Sequence, residues 1–146
     1  TLSVDDTKEI IEEIKKYFKN YLEPKKKDIC YATTNRQEAV KDIAKKCDYF
    51  FVLGSKNSSN SLRLVEVAKN YGSKHSILVD DIEKFDPTII NGKAKIGITA
   101  SASAPEILVQ NFIALLKKNY NIQVNEAEYT PEDVVFKIPQ NIKAIA

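Results

Sequence analysis

Tyr49-Phe50-Phe51-Val52-Leu53-Gly54-Ser55-Lys56-Asn57-Ser58-Ser59-Asn60-Ser61 runs five apolar residues into eight that are almost all hydrogen-bonding surface, and a helical pattern opens directly after it at Leu62. The apolar run reads as a buried strand. The stretch from Gly54 to Ser61 holds one glycine, one lysine, four serines and two asparagines. A polar turn of that kind between a buried strand and a helix is where an α/β sheet usually holds a ligand.

The same unit recurs on either side. Upstream, Ile29-Cys30-Tyr31-Ala32 is a short apolar segment that reads as a strand, and Thr33 to Glu38 is a polar turn. Capping-box pairs, Thr34 with Gln37 or Asn35 with Glu38, open a helix expected to run through Lys46, with Val40, Ile43, Ala44 and Cys47 inward. Downstream, a helix from Leu62 to about Asn70 turns Leu62, Leu64, Val65 and Ala68 inward and stops at Gly72, a left-handed position. Ser76 to Val79 is a third strand closed by Asp80-Asp81, followed by a short irregular or helical connection to Asn91-Gly92. Ile96 to Thr99 is a fourth strand. It runs into Ala100-Ser101-Ala102-Ser103-Ala104-Pro105, and Ile107, Leu108, Asn111, Phe112, Leu115 and Leu116 mark a helix with the proline in its first turn. Alternating strands and helices predict an α/β fold, a parallel sheet flanked by helices, with right-handed crossovers that place the turns along one carboxyl edge.

The N-terminal region predicts an amphipathic helix capped by Ser3 or Asp5, with Ile10, Ile11, Ile14, Tyr17, Phe18, Tyr21 and Leu22 on its apolar face. Pro24 and Lys25-Lys26-Lys27 end it. Three regions follow: 1–27, a helix and linker belonging to a preceding domain; 28–119, the α/β domain; and 120–146, a C-terminal strand around Val134-Val135-Phe136 and a tail. The first residue is Thr1, two residues before the first cap, which suggests one part of a larger multi-domain protein.

A chain of 146 residues is long enough for one domain that buries roughly 70% of its unfolded surface. With 22 basic and 20 acidic residues and a net charge of +2, no field argues for nucleic acid. No apolar run reaches the roughly 18 to 20 residues a bilayer span needs, and no charged-then-apolar leader opens the chain, so neither a membrane span nor secretion is expected. Two cysteines, Cys30 and Cys47, are too few for a disulfide framework and fit thiols in a reducing compartment.

Three turns share a chemistry. Thr33-Thr34-Asn35, Ser58-Ser59-Asn60 and Ser101-Ala102-Ser103 each place hydroxyls or amides at a helix start, beside backbone N–H groups that lack an intrahelical partner. Such residues are common caps, and one turn alone argues no more than capping. Three on one edge could hold a phosphate or diphosphate with little cationic charge. Lys56 points either at such a ligand or into solvent. Neither GxxxxGK nor GxGxxG is present, which disfavours a P-loop or dinucleotide site. Cys30, at the mouth of the first turn, is either a packed strand residue or a thiolate ligand favoured by the lysines and the helix start nearby; two cysteines at this spacing form no metal site alone. Cys47 reads as structural, His75 as an exposed strand start, and Asp80-Asp81 as a pair of acids that could bind a cation but more often ends a strand.

Leu2-Ser3-Val4-Asp5-Asp6-Thr7, Asp28 through Val40, Gly54 through Ser61, and Ala102-Ser103-Ala104-Pro105 with Ile107-Leu108-Val109-Gln110 resemble the C-terminal half of the 4-hydroxy-3-methylbut-2-enyl diphosphate reductase family. The resemblance implies a cytoplasmic bacterial or plastid-stromal iron–sulfur oxidoreductase. It makes isopentenyl and dimethylallyl diphosphate by reductive dehydroxylation, the last step of the non-mevalonate pathway, using a donor such as ferredoxin or flavodoxin. It also implies a [4Fe–4S] cluster on three cysteines, with Cys30 at one of those positions. By the same resemblance Ser58, Ser59, Asn60 and Ser103 hold the substrate diphosphate and Thr33 lines the site. The other two cysteines, the diphosphate histidines and the proton-donating glutamate belong to the N-terminal portion, and His75 and Glu38 do not replace them. The segment is then inactive alone, with no catalytic residue of its own. Ser101 stands where the family usually has glycine. The alternative from another class is a phosphate-binding α/β module without metal or catalysis.

Overall fold

The computed structural model of the chain describes residues 1–22 and 30–127. Along them run α1 (Val4–Tyr17), α2 (Tyr31–Ala44), β1 (Tyr49–Leu53), α3 (Ser59–Asn70), β2 (His75–Val79), a 3-10 turn (Pro87–Ile89), β3 (Ile96–Ala100) and α4 (Glu106–Asn119). The strands form one parallel sheet in the order β2-β1-β3. Tyr49 sits opposite His75 and Ile96, and Leu53 opposite Val79 and Ala100.

Central position explains why β1 has no polar residue. All five of its side chains are buried, and alternation sends them to two cores. Phe50 and Val52 pack with Val40 and Ala44 of α2 and Leu64, Val67 and Ala68 of α3. Tyr49, Phe51 and Leu53 pack with Phe112 and Leu116 of α4 and with Ile90. On that second face Phe51, Phe85 and Phe112 meet edge-on, with centroids 5.0 to 5.3 Å apart, an arrangement worth about 0.5–1.5 kcal/mol per pair beyond burial. On the first face the Phe50 ring lies flush on Gly97, whose missing Cβ would fall 2.5 Å from it. Cys47 closes the same spot, and burial, helped by the Asp48 carboxylate, pushes its thiol above the usual range. The structural reading of Cys47 holds.

The first strand-turn-helix unit does not form as expected. Tyr31 and Ala32 already belong to α2, because the Cys30 carbonyl accepts the N–H groups of Thr33 and Thr34 at 2.9 and 3.0 Å. Thr33, Thr34 and Asn35 therefore lie in helix, not in a turn, and Thr34 bonds back to the Cys30 carbonyl at 3.4 Å rather than capping. Four apolar residues are too few to tell a strand from the start of a half-buried helix. α2 also ends at Ala44 rather than Lys46, and the strand expected to be fourth, Ile96–Ala100, is the third. α3 starts three residues before Leu62, since Ser58 is its cap and accepts the Ser61 N–H at 3.3 Å; Leu62 itself is exposed. Gly72, with φ of 105°, ends α3 in the left-handed conformation expected.

Ser3 caps α1 by accepting the Asp6 N–H at 2.9 Å. α1 ends at Tyr17, short of Leu22, and its apolar face is open: Ile10, Ile11, Ile14, Tyr17 and Phe18 are all exposed. The helix is held by its polar end instead. Gln37, fully buried, accepts the Val4 N–H at 2.8 Å and donates to the Leu2 carbonyl at 3.3 Å. Buried Lys41 donates to Asp5 at 2.8 Å and Glu38 at 2.9 Å, and the Tyr71 hydroxyl donates to Asp5 at 2.7 Å. The Lys41 hydrogen bond holds the Asp5 carboxyl below its usual range. Burial opposes the Lys41 ammonium, but its bonds to Asp5 and Glu38 outweigh that and raise its pKa. The Pro24–Lys27 linker and the Val134–Phe136 strand expected from the sequence lie outside the described residues.

Candidate functional site at the carboxyl edge

β1 and β3 are neighbours whose chains leave in opposite directions, β1 to α3 on one face and β3 to α4 on the other. That divergence opens a crevice at the carboxyl edge, the usual ligand position in a parallel sheet. It is a cavity of about 670 Å³, walled by Gly54–Asn57 after β1, Ser101 and Ser103–Pro105 after β3, and Asp80–Glu83 after β2. Its size suits a small molecule. The crevice thus takes in Ser101 and Ser103 and the Gly54–Asn57 half of the polar stretch after β1, whose Ser58–Asn60 half follows as the start of α3.

Helix starts converge on this edge. Ser58 caps α3 with its oxygen, which leaves its O–H to donate elsewhere. Ser59 is exposed and Asn60 half-buried, and the Asn60 Oδ1 is buried with no hydrogen-bond partner among the described residues. α4 begins at Pro105, which makes no side-chain cap, and exposed Ser103 stands two residues before it on the crevice wall. Helix N-termini favour anions through their free N–H groups and dipole. Ser58, Ser59 and Asn60 are not walls of the cavity itself; they follow its Gly54–Asn57 wall as the first turn of α3.

The charges divide the crevice. Asp80, Asp81 and Glu83 make the β2 side acidic. Lys56 is exposed and pairs with Asp80 at 3.5 Å, so it faces a carboxylate and solvent. A hydrogen bond from Lys84 holds the half-buried Asp81 carboxyl below its usual range. An anion is accordingly favoured on the hydroxyl-lined β1–β3 side. From the sequence Asp80-Asp81 reads as a strand end or a cation site; that the pair forms one wall of this crevice, with Glu83, was not legible there.

Cys30 is exposed at the N-terminal end of α2, and Thr33 lies half-buried in its first turn. α2 feeds β1 through residues 45–48 and packs beside α3, so it descends antiparallel to the strands and starts toward the carboxyl edge. Neither residue is a wall of the cavity. Cys47 lies at the far end of the 14-residue helix, about 21 Å away along its axis, and cannot share a site with Cys30. His75 is exposed and stacks on Tyr49, centroids 4.8 Å apart. Among the described residues no group of three histidines, cysteines or acids could hold a metal.

Sequence reasoning also missed a close approach at the crevice floor. A Cβ on Gly54 would fall 2.4 Å from the Ser61 Oγ and 2.8 Å from the Ser101 Oγ. Nothing in the local sequence signals that contact, since it depends on which strand lies beside β1.

The chain is similar to known proteins along almost its whole length. The 4-hydroxy-3-methylbut-2-enyl diphosphate reductase of Phenylobacterium zucineum is 50% identical over 140 residues, 96% of this chain and 44% of that relative. That of Proteus mirabilis is 48% identical over 143 residues, 98% of this chain and 45% of the relative. Among solved structures, the E-1-hydroxy-2-methyl-but-2-enyl-4-diphosphate reductase from Plasmodium falciparum superposes with a TM-score of 0.79 at 35% identity, covering 99% of this chain and 46% of that one. The chain thus spans a little under half the length of the relatives it matches. The family model described as LytB protein matches residues 1–117, and the chain belongs to that family.

Proposed function

We propose that this chain is the diphosphate-holding, one-cysteine portion of an iron–sulfur reductase that converts 4-hydroxy-3-methylbut-2-enyl diphosphate to isopentenyl and dimethylallyl diphosphate by reductive dehydroxylation. The observation that carries the reading is the crevice walled by Ser55, Ser101 and Ser103, with α4 starting on its wall at Pro105 and α3 starting directly after its Gly54–Asn57 wall. Ser58, Ser59 and Asn60 donate to the diphosphate from one side and Ser103 from the other, with Thr33 nearby on α2. Neutral donors and helix ends hold the anion and exclude water from it without a ring of lysines.

Cys30 fits a cluster ligand rather than a packing role, because its thiol is exposed at the start of α2. A bound [4Fe–4S] cluster would supply electrons and an open iron for the substrate hydroxyl. The remaining ligands and the proton donor come from an N-terminal portion of the reductase, and the exposed apolar face of α1 is where that portion packs. On this reading 1–27 serve the preceding domain and 28–119 carry Cys30 and the diphosphate residues. Electrons come from a donor such as ferredoxin or flavodoxin, in a bacterial cytosol or plastid-type stroma. No helix among the described residues is long and apolar enough to cross a membrane.

The test is a pair of variants in this chain co-assembled anaerobically with the N-terminal portion of the Proteus mirabilis relative. Cys30→Ser loses most bound iron and turnover. Asn60→Ala keeps the iron and raises KM. Full turnover in both variants would sink the assignment.

A further inference from the structure

We infer that Gly54 is a positioning residue: its missing side chain sets the spacing of the two anion-binding arms, acting through Ser61 and Ser101. The inference rests on the diphosphate reading of the crevice and deepens it. Ser61 is fully buried and Ser101 is 2% exposed. Their hydroxyls come from opposite walls, Ser61 from the first turn of α3 and Ser101 from the end of β3, and both point at the volume a Cβ on Gly54 would fill. The Ser61 hydroxyl has no hydrogen-bond partner among the described residues.

Gly54 cannot yield to a new methyl group by retreating, because its N–H is held by the Val79 carbonyl at 3.1 Å. Its φ is not in the left-handed region, so the demand for glycine is one of space and not of backbone conformation. Both serines are buried, which leaves their hydroxyls little room to rotate away, and the Ser101 Cβ also lies 3.2 Å from the new methyl, so the two serines must move instead. The Ser61 N–H is the donor that Ser58 caps, at 3.3 Å, and Asn60 is its chain neighbour, so a push on Ser61 moves both. The Ser101 carbonyl accepts the Ala104 N–H at 2.9 Å across a turn that contains Ser103, so a push on Ser101 moves Ser103. A methyl group at residue 54 therefore spreads the arms of the site without touching the anion.

The experiment is an amide NMR titration with inorganic diphosphate of the chain co-assembled with the N-terminal portion of the Proteus mirabilis relative, following residues 58–60 and 103. Gly54→Ala raises the Kd about tenfold or more. Ser61→Ala with Ser101→Gly removes the clashing atoms, so adding both to Gly54→Ala restores the Kd to within about threefold of the Ser61→Ala/Ser101→Gly control. A purely structural glycine would lower the melting temperature and leave the Kd unchanged well below it. An unchanged Kd in Gly54→Ala, or a folded triple variant that does not regain affinity, overturns the inference. Should Gly54→Ala fail to fold, a triple variant that folds and binds like the control supports it. If the native chain shows no diphosphate shifts at these residues, the diphosphate reading itself fails, an outcome separate from the loss of coupling alone.

Discussion

Cys30 and Cys47 sit at the two ends of α2 and differ in everything that governs a thiol's chemistry. Cys30 is exposed, whereas Cys47 packs beside Phe50 and Gly97 with its thiol pushed up by burial. Limited alkylation at neutral pH with peptide mass spectrometry should therefore label Cys30 well before Cys47; equal labelling would contradict the placement. Cys47 was legible from the sequence because it continues the inward spacing of Val40, Ile43 and Ala44. The surroundings of Cys30 were not, because a four-residue apolar segment carries no usable period. Gly54 was legible as part of a polar turn, but its contact with Ser101 depends on a strand 42 positions downstream in sequence pairing beside β1.

Elements carry the next distinction. β1 and α4 could be read directly, since a strand buried on both faces and a helix with one apolar side each leave a strong pattern. Phe112 is the test of that core: fully buried and edge-on to Phe51 and Phe85, it should cost about 3–5 kcal/mol when replaced by alanine. Denaturant unfolding that shows under 1 kcal/mol would contradict the packing. α1 is the opposite case. Its periodicity was visible, yet its apolar face is exposed, because a pattern says that a face needs covering and not what covers it. The Asp5–Lys41 pair is the pH-sensitive part of its docking, beside the Gln37 bonds to Val4 and Leu2. The lowered Asp5 pKa contributes stability present above the usual carboxylate range, near 4, and lost as pH falls through the lower folded value. The raised Lys41 pKa contributes stability present below the usual lysine range and lost as pH rises past it. Between about pH 3 and 6 the native melting temperature should climb more steeply than that of Asp5→Asn; parallel slopes would show that the pair does not hold α1.

At the scale of the whole molecule, strand order is what turned scattered polar turns into a site. The sequence contained the Ser58–Asn60 and Ser101–Ser103 stretches, but not that β1 and β3 are neighbours whose helices part to opposite faces. The same order shows an acidic wall after β2 and an Asp80 that takes up Lys56, which confines an anion to the helix starts. Less than half of each relative's length is matched, and the open face of α1 and the single exposed thiol both fit the proposal of a site completed by another portion of the protein. Iron and acid-labile sulfide, measured in this chain co-purified anaerobically with the N-terminal portion of the Proteus mirabilis relative, test that account most directly. It predicts a coloured complex with about four of each per chain, lost in Cys30→Ser. A colourless, iron-free complex that still binds diphosphate would contradict it and leave a phosphate-binding module in its place.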